Sequence, residues 1–405
     1  MQLAAALHRS RAIDPHAATS ATLFAALFAG QAGLIAVTPV LPELAGDLDV
    51  STALAGQLRT VTGLVAGVTA LLLGVLAGRI GLGRQLFAGA LLLAAGSLGS
   101  AVAPTFLLLA IAQAPIGMGV ALVTTAGTLA AAEWVPAEHR TRALSWALTG
   151  QPAAWIVGMP LVGALGASSW RLAFVVLPLV AALVAAAAVA RRAGEPPTAI
   201  EPVRIRAAFA NRDLKLWAAA ELLANSAWAG TLVYAGALFA ESYGMSAVAI
   251  GPLLAVAAAA YVAGTFTFRR VVGREDRRRL VVLGLALAGG VALFGGVRAG
   301  VAASTILLSA SAFVAGGRTL LSSSVGLSVD PSARAAVMAV RAATMQFGYF
   351  VGVFVAGSAL AAAGYVALGL AVGVLLVGAA ALFAPCALGR GVCYPSRLAA
   401  TGGQA

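Results

Sequence analysis

Four ionisable side chains lie in predominantly apolar stretches of the sequence: Arg59, Arg318, Arg341 and Glu221. A charged side chain at the centre of a membrane helix costs about 2.5 to 3.5 kcal/mol, so such residues usually serve a function. Three arginines against one acid give the membrane interior a net positive charge that would attract an organic anion. The alternative is that some of them extend towards the lipid headgroups or pair with an acid or a helix-end carbonyl.

Glu221 is the candidate residue for proton coupling. It lies about one and a half helical turns into the seventh apolar stretch. If burial favours the neutral acid, Glu221 could bind and release a proton as it faces one side of the membrane and then the other. The alternative is a carboxylate near the inner interface that holds an arginine.

Uncharged polar and aromatic side chains are concentrated in some apolar stretches and almost missing from others. Polar groups in hydrocarbon are costly unless they face protein or water, so we expect these side chains to line a central, partly hydrated cavity. The aromatic residues Trp155, Trp228, Tyr234 and Tyr349 could form walls for a ring-bearing substrate, although ordinary packing also explains them. The candidate substrate-binding residues are Gln31, Arg59, Gln113, Gln151, Trp155, Asn225, Trp228, Tyr234, Arg318, Arg341 and Gln346.

Residues suited to enzymatic or metal chemistry are few and lie outside the apolar stretches. They are His8, His16, His139, Cys386 and Cys393. At membrane depth the sequence therefore offers neither a nucleophile paired with a histidine base nor a set of metal ligands. We expect no enzymatic activity and no metal or other cofactor.

Composition shows which elements must position these side chains. Of the 405 residues, 61% are hydrophobic and only 10% are charged, against about 25% charged in a soluble domain. A bilayer core about 30 Å thick requires about 20 helical residues. We predict an all-α membrane protein with 12 transmembrane helices. Their predicted bounds are 20–41, 52–77, 85–103, 106–131, 143–165, 171–190, 216–240, 246–268, 280–297, 301–325, 333–361 and 364–384.

Basic residues indicate the orientation in the membrane. If both termini are cytoplasmic, 21 Lys and Arg residues lie in cytoplasmic segments and only Arg171 and Arg298 lie in the opposite loops. This bias follows the positive-inside rule. The basic residues are spread between apolar stretches, so the net charge of +12 does not indicate a nucleic-acid partner. High Ala, Gly and Arg content with a single Lys points to a bacterium, so we predict a multi-pass protein of the bacterial cytoplasmic membrane.

An internal repeat divides the chain at a hydrophilic linker. Residues after the second and fourth stretches correspond to residues after the eighth and tenth, at offsets of about 190 to 195, and such duplication is typical of large secondary transporters. The corresponding residues are Gly74, Arg79, Gly81 and Arg84 with Gly264, Arg269, Gly273 and Arg274, and Pro136 and Arg140 with Pro331 and Arg334. The predicted units are a cytoplasmic N-terminal segment 1–19, a six-helix bundle 20–190, a cytoplasmic linker 191–215, a second bundle 216–384 and a cytoplasmic tail 385–405. Stretches six, nine and twelve carry almost no polar side chains, so we expect them to face lipid.

Several local motifs resemble those of a known family. They are Thr38–Pro42 followed by Gly46–Ser51, the run Gly74–Arg84, Pro136–Arg140, and Trp170, Arg171 and Phe174. With these motifs, residues 20–384 resemble the major facilitator superfamily, and within it the bacterial twelve-helix exporters of the drug:proton antiporter branch. The resemblance implies two pseudo-symmetric six-helix bundles, alternating access and a conformational gate. On the run similar to the family's motif A, the gate residues would be Gly74, Arg79, Gly81 and Arg84.

Two departures from the family pattern affect what can be expected of the gate and of proton coupling. Gly78 occupies the position where motif A usually has an Asp, and Gln113 occupies the position where such exporters commonly carry the Arg of motif B. The usual charge pairing of the gate is therefore weakened or rebuilt, and proton coupling would depend on other residues.

The predicted function is secondary transport of a small organic molecule by alternating access, with proton-coupled efflux of a drug or metabolite as the first hypothesis. The alternative is uptake, exchange or uniport of an organic anion bound by the intramembrane arginines. The expected partners are the small-molecule substrate, protons and the lipid bilayer, and we expect the protein to be a monomer.

Overall fold

The computed structural model describes residues 17–76, 78–136, 138–196, 211–273, 276–329 and 334–387. These residues form helices and no strand, which confirms the predicted all-α class. Among them, eleven helices are long and apolar enough to cross a membrane. The predicted N-terminal segment up to residue 16, most of the linker, Arg274, Pro331 and the tail beyond residue 387 lie outside the described residues.

Some helices of residues 17–196, the N-terminal half, begin where a polar side chain caps them. Ser51 accepts a hydrogen bond from the backbone N–H of Leu54, and Thr105 accepts one from that of Leu108. Such caps satisfy N–H groups that the first helical turn leaves free. The helices are α1 (Ala17–Ile35), α2 (Leu41–Asp47), α3 (Thr52–Gly56), α4 (Leu58–Val75), α5 (Leu82–Val102), α6 (Phe106–Glu133), α7 (Arg140–Gly166), α8 (Trp170–Phe174) and α9 (Val180–Val189).

The helices of residues 211–387, the C-terminal half, are longer on average. Asn211 caps the first of them by accepting the N–H of Asp213, and Gly244 ends it with a left-handed backbone conformation. The helices are α10 (Arg212–Tyr243), α11 (Ala247–Phe268), α12 (Asp276–Gly296), α13 (Val301–Val329) and α14 (Arg334–Ala387).

Several predicted stretches are divided differently from the expectation. A 3-10 turn at Thr38–Val40 lies between α1 and α2 in the first stretch, and a π-helical segment, Val175–Leu179, joins α8 to α9 in the sixth. In the second stretch, the helical hydrogen bonding is irregular at Gln57, between α3 and α4, where the backbone dihedrals stay helical. Helix α14 contains the eleventh and twelfth stretches, and non-helical backbone at Ala363 and Gly364 interrupts it between the two. Gly364 has a φ of 73°, which a glycine adopts without the steric penalty of a Cβ atom.

Small residues let neighbouring helices approach closely. Gly96 of α5 faces Ile116 of α6, and Gly89 faces Leu122, so these two helices run antiparallel. Gly352 of α14 lies against the backbone of Ser226 in α10. Helices without large side chains at such crossings pack backbone to backbone, which is a common feature of membrane bundles.

The three stretches predicted to face lipid carry exposed apolar side chains on one face. The exposed residues are Leu172, Val176, Val180, Leu183 and Val184 before the linker, Val282, Leu285 and Leu293 in α12, and Val366, Leu370, Val374 and Val377 in the second part of α14. These elements pack on the outside of the bundle, which leaves the remaining helices to surround its centre.

Candidate transport cavity

A cavity of about 460 Å³ lies between the two halves. Helices α1 and α7 of the N-terminal half line it, together with α10, α11, α13 and α14 of the C-terminal half. A volume of this size suits a small organic molecule. Pro152 interrupts the hydrogen bonding of α7 where that helix borders the cavity.

The cavity opens towards the end of the bundle at which the linker lies, called here the linker end. Ser145 and Leu148, near the linker-end start of α7, are exposed, as is Phe266 near the linker-end terminus of α11. Thr38 and Leu254, which line the opposite part, are buried. The structure therefore represents one state of a cavity accessible from a single side.

Hydrogen bonds between the halves close the opposite end, called here the far end. The Tyr234 hydroxyl donates to the carbonyl of Ala53 over 2.9 Å. The Gln57 side-chain amide donates to the carbonyl of Val353 over 3.3 Å. Tyr234 was expected to bind substrate, but it does not line the cavity. Its place is in the far-end contact.

Further contacts at the far end extend this closure. Thr52 donates a hydrogen bond of 2.5 Å to one carboxylate oxygen of Glu241, and Tyr365 donates one of 3.0 Å to the other. Gly63 of α4 lies against the backbone of α14 at Gln346 and Phe350. The Thr52–Glu241 and Gly63–α14 contacts join the two halves, so separation of the halves must break both, whereas Tyr365 holds Glu241 from within the C-terminal half.

Seven of the eleven candidate substrate-binding residues line the cavity, and they come from both halves. They are Gln31, Gln151, Trp155, Asn225, Trp228, Arg318 and Gln346. The Trp155 indole N–H donates to the Gln31 side-chain oxygen over 3.1 Å, which fixes both groups at the wall. The Asn225 side-chain nitrogen is buried without a hydrogen-bond partner.

Glu221 and Arg318 form a buried ion pair within the C-terminal half. Arg318 Nη1 lies 3.0 Å from Glu221 Oε1, and the two side chains are 4% and 1% exposed. The Ser322 hydroxyl donates to the same oxygen over 2.6 Å, and the Trp217 indole N–H in turn donates to Ser322. The sequence left two hypotheses for Glu221, a proton-binding acid and a carboxylate that holds an arginine. The geometry corresponds to the second hypothesis. Arg318 lines the cavity whereas Glu221 lies behind it.

Arg59 occupies a different environment. It is 2% exposed, and its Nε and Nη1 atoms have no hydrogen-bond partner. Its guanidinium carbon lies 4.6 Å from the ring centroid of Tyr349, which lines the cavity. Among the described residues, no carboxylate forms an ion pair with Arg59. The arginine therefore lies behind the cavity wall, one aromatic ring away from the space itself.

Arg341 and Gln113 also lie outside the cavity lining. The Nε atom of Arg341 is buried without a partner. Gln113 is 1% exposed, accepts a hydrogen bond from Thr62 and donates one to Ser100, which ties α4, α5 and α6 together. Gln113 was predicted to bind substrate; in the structure its amide takes part in packing of the N-terminal half.

The predicted gate residues lie at the linker end of α4 and α5, with Gly74 in α4, Arg84 in α5, and Arg79 and Gly81 in the loop between them. Arg79 and Arg84 are exposed. A Cβ atom at Gly81 would lie 2.8 Å from the carbonyl oxygen of Glu195, so the glycine allows the loop to pack against the start of the linker. Gly78 has a φ of 77°, which is unfavourable for the Asp expected there and suits glycine.

Sequence reasoning missed Tyr261 and Thr265, which line the cavity from α11. Tyr261 stacks on Trp228 with 6.3 Å between ring centroids and 18° between ring planes. The available signal was their spacing of four residues in a stretch that is otherwise rich in alanine, since this spacing places both on one helical face. Among the described residues, no group of three or more His, Cys, Asp or Glu side chains could hold a metal ion.

Comparison with known proteins gives a family match and a set of structural matches. A family model described as the Major Facilitator Superfamily matches residues 23–309. A comparison of the sequence with curated proteins finds no match.

Several solved structures share the fold. A bacterial homologue of the human lysosomal transporter Spinster, in an inward-facing and occupied conformation, has a TM-score of 0.72 at 16% identity and covers 92% of this chain and 97% of its own. A D-xylose–proton symporter has a TM-score of 0.70 at 17% identity, with coverage of 90% and 96%. A nucleoside transporter has a TM-score of 0.68 at 15% identity, with coverage of 92% and 99%.

Proposed function

Because the chain belongs to the Major Facilitator Superfamily, we propose that it moves a small organic molecule across the membrane by alternating access, as a proton-coupled exporter of a drug or metabolite. The observation that carries the proposal is a cavity lined by both halves, accessible from the linker end and closed at the far end. Rocking of the halves would open the far end and close the linker end, so that a bound molecule changes sides.

The proposed topology has twelve crossings in two six-helix bundles, with both termini in the cytoplasm of a bacterium. The break at Gly364 supports a reversal of the chain inside α14. Asn225 contacts Gly348 before the break, and Leu223 contacts Gly378 after it, so residues 348 and 378 lie at the same depth. On this topology the linker end is cytoplasmic, and the structure corresponds to an inward-facing state of a monomer.

Glu221 is the proposed proton-binding residue, and Arg318 links it to the cavity. For export driven by proton entry, the proton and the substrate must alternate at the site. The substrate would bind while Glu221 is deprotonated and paired with Arg318, whose guanidinium borders the cavity. Protonation of Glu221 from the opposite side would break this pair and favour substrate release, so that a proton enters as the substrate leaves. The driving force is about 2.3 kcal/mol per charge per 100 mV and about 1.4 kcal/mol per pH unit for each proton.

The gate residues are proposed to act when the linker end of the cavity is closed. Arg79 and Arg84 are exposed when the linker end is open. We propose that they meet groups of the C-terminal half when this end closes. Gly74 and Gly81 would give the loop the close packing that such a movement requires.

Flux through proteoliposomes tests the proposal. The purified protein would be reconstituted with an internal pH dye, and ring-bearing metabolites of different charge would be added with and without an imposed pH gradient. We expect at least one compound to drive proton movement, and we expect Glu221→Gln to abolish that coupling. The matched control is Glu133→Gln, since Glu133 is exposed at the linker end of α6. If the transport rate of the native protein is the same with and without the pH gradient, proton coupling is contradicted.

Uptake, exchange or uniport of an organic anion is the second candidate. The favouring observation is the excess of buried positive charge, since Arg59 and Arg341 both have buried nitrogen atoms without partners. Anion exchange between the two sides of the liposome at equal pH, insensitive to Glu221→Gln, would support this candidate over the first.

A further inference from the structure

Of the three intramembrane arginines, Arg59 and Arg341 form no ion pair among the described residues, and Arg59 is the more deeply buried of these two. Arg318 is neutralised by Glu221 at 3.0 Å in the empty protein. Arg59 is almost fully buried, and two of its three nitrogen atoms have no hydrogen-bond partner. A buried cation without a counterion is costly, and the face of one aromatic ring offsets only part of that cost.

The position of Arg59 connects it to transported molecules. It is the second residue of α4 and lies about 10 Å of helical rise from the far-end residue Thr52. Tyr349 separates it from the cavity with a ring that lies 4.6 Å from the guanidinium carbon. A rotation of this ring would bring the guanidinium into contact with the cavity, at a depth where both halves meet.

We propose that Arg59 is an anion subsite of the transport cavity, that Tyr349 covers it in the empty protein, and that the substrate is a ring-bearing organic carboxylate. This inference rests on the proposed function, because it assigns the substrate class of the same cavity. The carboxylate would replace the Tyr349 ring as the partner of Arg59 and would form charge-assisted hydrogen bonds with its free nitrogen atoms. The ring of the substrate would lie against Trp228 and Tyr261, which already stack on each other.

The other polar side chains of the cavity wall agree with this substrate class. Gln31, Gln151 and Gln346 contribute uncharged amides to it. Glu221, the acid nearest to the cavity in the described residues, lies behind the lining and is paired with Arg318. A cationic substrate would therefore meet Arg59 without a free carboxylate to balance it, whereas an anion would complete the charge pairing.

Three probes of the same shape test the charge preference. Benzoate, benzamide and benzylamine share the ring and differ in charge, and each would be titrated against the full-length protein in a neutral detergent at pH 7. Binding would be measured as the rise in unfolding temperature, since a ligand stabilises the folded state by mass action. We expect benzoate to stabilise the protein at concentrations at least tenfold lower than the other two probes.

Variants of Arg59 test the site. Arg59→Gln should weaken benzoate binding at least tenfold and leave benzamide unaffected, while Arg59→Lys should retain part of the benzoate preference. Arg59→Met should lose benzoate binding but unfold at the same or a higher temperature without probe, because it removes an unpaired buried charge. The matched control is Arg212→Gln, since Arg212 is exposed at the linker end and should leave all three titrations unchanged.

The outcomes separate this inference from the proposed function. Equal stabilisation by benzoate and benzamide, or an unchanged benzoate titration in Arg59→Gln, overturns the anion subsite even if pH-driven flux is observed. A benzoate preference that depends on Arg59, together with flux that ignores Glu221→Gln, supports the subsite and contradicts proton coupling.

Discussion

Replacement of Arg318 by Met is expected to destabilise the protein strongly, because it leaves the Glu221 carboxylate buried without its cation. The two groups are 3.0 Å apart and their side chains are 4% and 1% exposed. Removal of one partner from a buried ion pair typically costs about 3 to 5 kcal/mol. Ser322 still donates its hydrogen bond of 2.6 Å to the carboxylate, so we expect a loss near the lower limit, about 3 kcal/mol.

A double-mutant cycle isolates the contribution of the pair. The double variant Glu221→Leu/Arg318→Met removes both charges at once, and such replacements are often neutral or stabilising. We expect its free energy of unfolding to lie within about 1 kcal/mol of the native value, which corresponds to a coupling energy of at least about 2 kcal/mol. The free energies would be measured by unfolding in mixed micelles of increasing SDS content, followed by the far-ultraviolet circular dichroism of the helices.

The reasoning would be refuted by additivity. If the cost of the double variant equals the sum of the costs of Arg318→Met and Glu221→Leu, the two groups do not interact as opposite charges. Glu221 would then be neutral in the empty protein, and its proton could not control the availability of Arg318. Arg212→Met provides the control for loss of an exposed arginine, and it should change stability by less than about 0.5 kcal/mol.

Two further predictions concern packing and conformation. Gly352→Ala places a methyl group on the backbone of Ser226 and should cost about 1 to 3 kcal/mol in the same unfolding assay. The control is Gly289→Ala, at a position with open space, which should stabilise the protein by up to about 1 kcal/mol. Equal effects of the two substitutions would contradict the close helix crossing. Tyr234→Phe removes the hydrogen bond to the Ala53 carbonyl, which is worth about 1 kcal/mol net. Distances between spin labels on the two halves at the far end should therefore show about a fivefold shift in population towards the separated state. Unchanged distance populations would show that this contact does not hold the far end closed.

Most of the fold could be predicted from the sequence, whereas the residues of the candidate site could be predicted only in part. Helices in a membrane satisfy their own backbone hydrogen bonds, so apolar length alone located most of them. The π-helical segment Val175–Leu179 was not predicted because the apolar pattern continues through it. Cavity residues with polar side chains in apolar stretches were identifiable, as for Gln31 and Gln346. Gln113 has the same signal and a different environment, since hydropathy does not distinguish a cavity from a polar contact between helices.

The sequence by itself determined that the chain is a helical membrane protein of the Major Facilitator Superfamily, because run length, composition and local motifs are properties of neighbouring residues. Only the tertiary structure decided which intramembrane charges are compensated. Glu221 and Arg318 are 97 positions apart and meet because α10 packs beside α13. Arg59 meets Tyr349 rather than an acid because α4 crosses α14 between the two halves. A charge in a membrane is stabilised by whatever the folded chain brings within a few ångströms, and that partner is set by helix packing rather than by position in the sequence.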